Sequence, residues 1–389
     1  MFVQSIIYGN PDYYPPMIHG AEILDRHGFQ QEILSRRFRS DAILVDAIDE
    51  YYPTSTVVFR LNSAGKGTAS AFLSFAWNVL RKSNRHADFF IGYNAHGFAL
   101  ARLLGYLYRK PIVYHSHDFM EDNQVSTFGD RIFKVIERRF AHTAEVVIVP
   151  DRERAQIIAE QLHLDTQPLI VANCPVHPPA SANSLLHQTL KTYGKSFERI
   201  VWRQGMINKT HGLEVTIRSI PFWSSPNWGF VIMGLGDLKY KEKLLALASD
   251  LGVADRFVIL PAVGDYREVS QFTIDADIGH ALYEPLQVNH TFITTASNKT
   301  MEYQAAGLPI LLADTPGSRK LVDKYQHGVL VDVTSPEAIA AGINHILNNS
   351  QLAQQMSEGS KRAFREEFNY ETQYLPAIQR FKELARSRK

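Results

Sequence analysis

Lys299 and Glu302 stand three residues apart in the segment NKTMEYQAAGLP, residues 298–309. Ser297 or Asn298 can cap a short helix there, Gly307 suits its C′ position, and Pro309 follows just beyond. A lysine in the first turn opposes the helix dipole, unless an anion sits on that helix end. Residues three apart share one side of a helix, which puts Glu302 beside it. A cation for phosphate and a carboxylate for ribose hydroxyls make a nucleotide clamp; the competing reading is a solvated surface ion pair. A second pattern is RIVWRQGMINKTHGLE, residues 199–214, which reads as strand, glycine turn and helix. Gly205 and Gly212 let backbone approach a diphosphate closely, and the helix N-terminus that follows favours negative charge. Arg203 and Lys209 are the cations nearby, and the GLG turn at 234–236 has the same form. Earlier in the chain, HSHD at 115–118 ends an apolar run. Two histidines at i and i+2 without distant ligands are a weak metal pattern, so no metal is expected. Cys174 is the only cysteine and reads as a small core residue.

Such groups need a scaffold that gathers loop ends. Apolar runs rich in β-branched residues recur at 5–8, 55–59, 89–93, 111–115 and 145–149, then at 199–202, 229–233, 256–260, 278–282, 309–313 and 328–331. Each precedes a helix-like stretch. Runs that are continuously apolar mark strands covered on both faces, hence parallel sheet. Strands alternating with helices predict right-handed βαβ units. The series breaks once, at NCPVHPPASANS, residues 173–184, where three prolines make a good linker. The fold expected is α/β, with two doubly wound Rossmann-like domains facing a cleft. Residues 1–175 form the first domain, 176–198 a linker, 199–365 the second domain, and 366–389 a helix packing back toward the first domain. The stretch 360–389 reads as helical throughout. Open parallel sheets bind ligands at the carboxyl ends of their strands.

The segment 297–310 resembles the donor-binding helix of glycosyltransferase family 4, retaining enzymes of the two-Rossmann-domain GT-B type. Its signature there is Asn-Lys-x-x-Glu-Tyr-x-Ala-Ala-Gly-x-Pro. The resemblance implies that Glu302 accepts from the ribose of a nucleotide-sugar donor, with Asn298 and Lys299 beside it. ADI at 276–278 and ALYEP at 281–285 are similar to the strand and loop leading to the donor sugar, which brings in Glu284. Many members carry a second Glu eight residues before the first. Thr294 stands there with Thr295 after it, and backbone amides of the 292–296 turn are the substitute. The 203–212 loop resembles the family's first loop of that domain, with Gly205 in its turn and His211 where a basic residue is usual; Arg203 and Lys209, off that position, are the nearby candidates for the diphosphate. Gly234, and Val263 in VGDY at 263–266, fall near the donor base. KPIVYHSHDF at 110–119 resembles the family's Val-Tyr-Asp-Ser-His-Glu element, with His117 on the matching His, Asp118 replacing Glu and His115 replacing Asp. His117 and Asp118 are the catalytic expectation. YNAHG at 93–97 resembles a paired Ala-His-Asp loop and puts His96 on the acceptor side. Gly9 and Asn10 border the acceptor in a Tyr- and Pro-rich loop suited to stacking on a sugar ring.

Across 389 residues, 41 Lys and Arg balance 40 Asp and Glu, and 45% of residues are apolar. That balance argues against a nucleic-acid partner, and the apolar content against global disorder. A single cysteine does not suit an oxidising compartment. The N-terminus reads as a strand rather than a signal peptide, and no apolar run approaches the roughly 18 residues that span a bilayer. The cytoplasm is the expected location. Peripheral contact with the inner membrane face stays open through basic clusters at Arg36, Arg37 and Arg39, at Arg81, Lys82 and Arg85, and at Lys134, Arg138 and Arg139. Acidic residues offset them across the domain, so a solvated face is the favoured reading. The function expected is retaining transfer of a sugar from a nucleotide-diphosphate-sugar to an acceptor hydroxyl on a glycan, a lipid-linked or a small-molecule acceptor. The nucleotide-sugar enters as substrate, with no cofactor. Two rivals remain: a sugar-nucleotide epimerase of the same build and a non-catalytic two-lobed binding protein. No strand precedes a full Gly-x-Gly-x-x-Gly with a downstream acid, which disfavours an NAD-dependent dehydrogenase.

Overall fold

The computed structural model describes residues 1–37, 51–63, 68–117, 128–180, 184–286 and 288–386. The chain divides into two compact units, one made of Met1–Asn173 with Tyr370–Lys389, the other of Cys174–Asn369.

The first unit holds seven strands: β1 (Phe2–Ile7), β2 (Gln30–Arg36), β3 (Thr56–Leu61), β4 (Phe89–Tyr93), β5 (Ile112–His115), β6 (Val146–Val149) and β7 (Leu169–Ile170). They lie in the order β3-β2-β1-β4-β5-β6-β7, all parallel. Every residue of β4, β5 and β6 is buried, as continuous apolar runs require. The strand order turns back between β1 and β4, and the carboxyl ends there form the usual ligand crevice of such sheets. Two glycines bring a helix N-terminus to that point. A Cβ on Gly97 would meet the Ile6 carbonyl oxygen at 2.3 Å, and one on Gly92 would meet the Phe98 Cα at 2.5 Å. The Asn94–Tyr108 helix therefore lies flush on β1 and β4. Strands β2 and β7 escape the sequence reading. β2 carries Gln30, Gln31, Glu32 and Arg36, and buried Gln31 donates from Nε2 to Ser5 Oγ at 2.8 Å. β7 has two residues.

The Tyr370–Arg386 helix belongs to this unit. Tyr370 donates to the Pro16 carbonyl at 2.9 Å, and the Phe381 ring lies 5.1 Å from Phe89. Residues 360–389 are not one helix, because the Ser350–Glu366 helix stops first. Glu367 N and Phe368 N both turn back to the Ala363 carbonyl, at 3.1 and 2.9 Å, and close its last turn.

The second unit holds β8 (Arg199–Gln204), β9 (Trp228–Met233), β10 (Phe257–Leu260), β11 (Ile278–Ala281), β12 (Ile310–Ala313) and β13 (Gly328–Val331). Their order is β10-β9-β8-β11-β12-β13, again all parallel. Its switch point lies between β8 and β11. Residues 176–198 are not a plain linker. They contain the Leu185–Thr192 helix, whose Leu186 and Leu190 are buried with Phe197, Trp202 and Phe272. The prolines mark only the approach to it; the apolar spacing of 186 and 190 puts one helix face into the core.

Candidate functional site

The second unit's site grows from the ends of β8, β9 and β11. Gly205 has φ +90°, a left-handed backbone that favours glycine. Gly205 N donates to the Met233 carbonyl at 2.9 Å, and Ile207 N to that of Leu235 at 2.7 Å. A Cβ on Gly234 would stand 1.9 Å from the Gly205 carbonyl oxygen, so the two loops run edge to edge only because neither has a side chain there. After β11 the chain passes Leu282 and Tyr283 to half-buried Glu284, whose N–H meets the Thr210 carbonyl at 2.9 Å.

The Asn298–Ala306 helix starts where the capping residues predict. Ser297 Oγ accepts from Thr300 N at 3.3 Å, and Gly307 closes the end with φ +71°. Lys299 leaves its first turn toward the glycine loop. A Cβ on Gly205 would stand 3.0 Å from Lys299 Cε and 3.2 Å from Nζ.

Arg203 is only 2% exposed. Its Nη1 donates to His280 Nδ1 at 3.1 Å and to the carbonyls of His280 and Leu282 at 3.3 and 3.2 Å. Its guanidinium lies 5.1 Å from the centre of the Tyr283 ring, and Lys299 Nζ lies 5.8 Å from the same ring. The Nε and Nη2 groups are buried with no partner among the described residues. Neighbouring groups register the two cations. Burial, then Arg203 and Lys299, hold the His211 imidazole far below its usual pKa. Burial and Arg203 do the same to His280. Burial pushes the Tyr283 phenol up, but Lys299 and Arg203 outweigh it and the net shift is downward. A buried cation without a counter-charge is costly. An anion at the unpartnered edge of Arg203 would supply that counter-charge.

Glu302 closes the cluster from the next turn of the helix. Its Oε1 accepts from Tyr266 Oη and its Oε2 from Gln204 Nε2. Burial raises its pKa, against the opposing effects of those two bonds and of the Lys299 charge. Two accepted bonds leave a carboxylate with further capacity.

The remaining residues of this half are placed unevenly. Asn298 is the first helical residue, and its Oδ1 is buried without a partner among the described residues. Lys209 is exposed on the Lys209–His211 turn, away from the buried position of Arg203. His211 is no cation: its Nδ1 bonds the Met206 carbonyl at 2.9 Å, and burial, with the neighbouring charges, keeps it neutral. Thr294 is buried and its hydroxyl pairs with Ser318 Oγ at 3.1 Å, bracing the start of the Pro316–Tyr325 helix. Thr295 is half-buried beside it. Val263 packs against the core beside Leu260 and Phe272.

In the first unit, β5 leads through Ser116 to His117, which is 4% exposed. His117 N donates to Asn94 Oδ1 at 2.9 Å. Its ring stacks on Tyr93 at 5.4 Å and Tyr14 at 5.9 Å, with His115 at 4.3 Å. Both ring nitrogens lack a partner among the described residues, and burial pushes the imidazole down to about 4, so it is neutral near pH 7. His96 joins a different aromatic group, 5.3 Å from Tyr8 and 4.1 Å from Phe133. Asn10 caps the short turn after β1 through Asp12 N at 3.2 Å, and the buried Gly9 offers its carbonyl to Arg36 N at 3.2 Å. Asp118, Phe119 and Arg39 lie outside the described residues. Among the described residues no three His, Cys, Asp or Glu side chains converge as metal ligands would.

Sequence reasoning passed over Gln204, Tyr266, Tyr283 and His280 as site residues, and Tyr14, Tyr93 and Asn94 around His117. A signal existed for two of them. Gln204 and His280 are polar residues at buried positions of interior strands, where a side chain needs a partner.

Residues 195–363 match the family model for glycosyl transferases group 1, so the second unit carries that domain. The chain is 24% identical over 176 residues to an uncharacterised glycosyltransferase of Methanocaldococcus jannaschii, covering 45% of this chain and 42% of that one. It thus spans about two-fifths of the length of this curated relative. Among solved structures, Anabaena HepE in complex with UDP and glucose has a TM-score of 0.74 at 15% identity, covering 98% of this chain and 100% of that one. A putative UDP-N-acetylglucosamine 2-epimerase of Listeria monocytogenes has a TM-score of 0.59 at 14% identity, covering 98% and 97%. These likenesses identify the fold as GT-B, with two parallel, doubly wound α/β units.

Proposed function

We propose that the chain is a glycosyltransferase that moves a sugar from a nucleotide-diphosphate-sugar to an acceptor hydroxyl, with retention at the anomeric carbon. The observation that carries the reading is the buried, unpartnered edge of Arg203 with Lys299 close by, at a glycine-lined strand switch point with Glu302 alongside. The whole cluster falls within the stretch that matches the glycosyl transferases group 1 model. The donor diphosphate takes Lys299, the free amides at the start of the 298–306 helix, and the unpartnered edge of Arg203. That edge is closed to bulk water, so the anion reaches it with local side-chain movement. Glu302 accepts from the ribose hydroxyls. When the bond from C1 to the diphosphate breaks, the leaving oxygen gains charge, and these fixed donors stabilise it. The acceptor oxygen bonds C1 on the same face, and its proton leaves with the diphosphate. Retention rests on the family resemblance. Neutral His117, with both ring nitrogens available, positions the reacting groups in the first unit; Asp118 is its proposed companion. The two cations take the leaving group's charge, so a chelator leaves turnover unchanged.

A thermal-shift panel of nucleotides and nucleotide-sugars tests the reading, because a ligand of the native state raises its apparent stability. UDP heads the panel, since Anabaena HepE is similarly folded and holds it. The proposal expects nucleoside diphosphates to raise Tm and a nucleotide-sugar alone to keep its sugar configuration. Epimerised sugar would move the reading to the epimerase rival. A panel with no stabilising nucleotide would reject the donor site.

A second reading concerns location. Three neighbouring helices of the first unit, Thr68–Lys82, Asn94–Tyr108 and Phe128–Phe140, turn large apolar side chains outward: Leu73 and Trp77, Leu103 and Tyr106, Ile132 and Val135. Arg81, Lys82, Arg131, Arg138 and Arg139 are exposed among them, while Glu137 is turned inward to Tyr114. Aromatic and aliphatic groups with a basic rim suit an anionic lipid surface. No helix among the described residues is long and apolar enough to cross a membrane. Co-sedimentation with phosphatidylglycerol vesicles, weakened by salt and by Trp77→Glu, is the expected result. Equal recovery with neutral and anionic vesicles would reject it.

A further inference from the structure

We infer that His280, with Thr216 behind it, is a positioning residue that fixes which edge of Arg203 is left for an anion. The inference rests on the donor-site reading and deepens it. His280 is fully buried in β11, between two other strands, where an apolar residue is the ordinary choice. Both of its nitrogens are used. Arg203 Nη1 lies 3.1 Å from Nδ1, and Thr216 Oγ1 lies 2.8 Å from Nε2. Arginine is only a donor, so Nδ1 must accept and the ring hydrogen must sit on Nε2. Nε2–H then donates to Thr216 Oγ1, whose own hydrogen goes to the Gly212 carbonyl at 2.8 Å. One tautomer satisfies the whole chain of bonds. Two carbonyls, of His280 and Leu282, complete the surroundings of Nη1.

What remains of the guanidinium is the edge made by Nε and Nη2, both without partners among the described residues. That edge presents two parallel N–H groups, the geometry that matches two oxygens of one phosphate. The relay runs from the Leu213–Ser219 helix through β11 to β8, so three elements hold one side chain. Protonation of His280 would remove the Nδ1 acceptor and add a third positive charge; Arg203 and burial both oppose it.

A packing role and a positioning role predict opposite orders among variants. His280→Phe keeps a ring and removes both nitrogens. His280→Asn shrinks the side chain but keeps an acceptor near the Nδ1 position. The measurement is calorimetric affinity for inorganic pyrophosphate and for UDP, with Tm recorded alongside. The expected result is that Phe weakens both ligands by about tenfold, the size of one hydrogen bond to a charged group. Asn returns both to within a few-fold of wild type, although its Tm is lower. If Phe fails to fold, Thr216→Val is the milder probe, and it weakens both ligands while keeping the ring. Affinities that follow side-chain volume, with Phe near wild type and Asn weakest, would overturn the inference. So would wild-type affinities in every variant. Pyrophosphate binding without binding of any nucleoside diphosphate would sink the donor reading alone. No pyrophosphate binding would overturn both.

Discussion

Glu302 is held by Tyr266 and Gln204 before any ligand group reaches it, and burial lifts its pKa above the ordinary glutamate value. A raised acid pKa means that protonation begins at a higher pH than usual. Nucleotide affinity, which uses the carboxylate as acceptor, is therefore full above that pKa and falls as pH drops through it. Glu302→Gln removes this limb, which titrations at a series of pH values would register. Replacing Lys299 by Ala takes away one charge-assisted contact and should cost about 1.5–3 kcal/mol of nucleotide binding, read by calorimetry. The sequence showed Lys299 and Glu302 clearly, because helix spacing alone puts them side by side. Arg203 was visible as a charge but not as a buried one. Tyr266, Gln204 and His280 stayed hidden as partners, because each contact spans tens of residues along the chain and only the sheet order brings them together.

At the scale of elements, the two glycine loops and the helix at 185–192 give the sharpest tests. Gly234→Ala places a methyl group 1.9 Å from the Gly205 carbonyl oxygen. The loop must open, at a cost of about 1–3 kcal/mol or more, and nucleotide affinity should fall with stability. Leu186→Ala removes a fully buried side chain of a segment that reads as linker, and should destabilise the second unit by about 2–5 kcal/mol in urea unfolding. An unchanged midpoint would restore the linker reading. Eleven apolar runs marked strands of the sheets, because interior parallel strands are buried on both faces and say so in composition. β2 was invisible for the opposite reason: its polar side chains find partners in the fold, as Gln31 does at Ser5. The 185–192 helix was masked by the prolines ahead of it. The turn after Glu366 was masked by helix-forming residues on both sides of it.

For the whole molecule, buried neutral histidines set the response to acid. Burial pushes His117 and His327 from 6.5 down to about 4, and holds His115 and His280 well below the ordinary value. A depressed pKa means that the unfolded chain binds more protons between the two values, so stability rises with pH there. The contribution is full above about 6.5 and is lost as pH falls toward 4, on the order of 3 kcal/mol per group at most. Unfolding midpoints measured from pH 7 to 4 should fall steeply, and His327→Phe should flatten the slope. Both units carry such groups, so both should respond. The division into two doubly wound α/β units was legible from the alternation of strands and helices. The placement of the Tyr370–Arg386 helix with the first unit depends on Tyr370 and Phe381 meeting Pro16 and Phe89, which no local pattern encodes.

The central claim is that the second unit reads a nucleoside through Glu302 and a diphosphate through Arg203 and Lys299. Calorimetry of wild type and Glu302→Ala with UDP and with inorganic pyrophosphate separates the two halves of that claim. The account predicts at least a tenfold loss for UDP, the order of a lost hydrogen bond to a charged group, with pyrophosphate affinity unchanged. Equal affinity for UDP in the two proteins, or equal losses for both ligands, would contradict it.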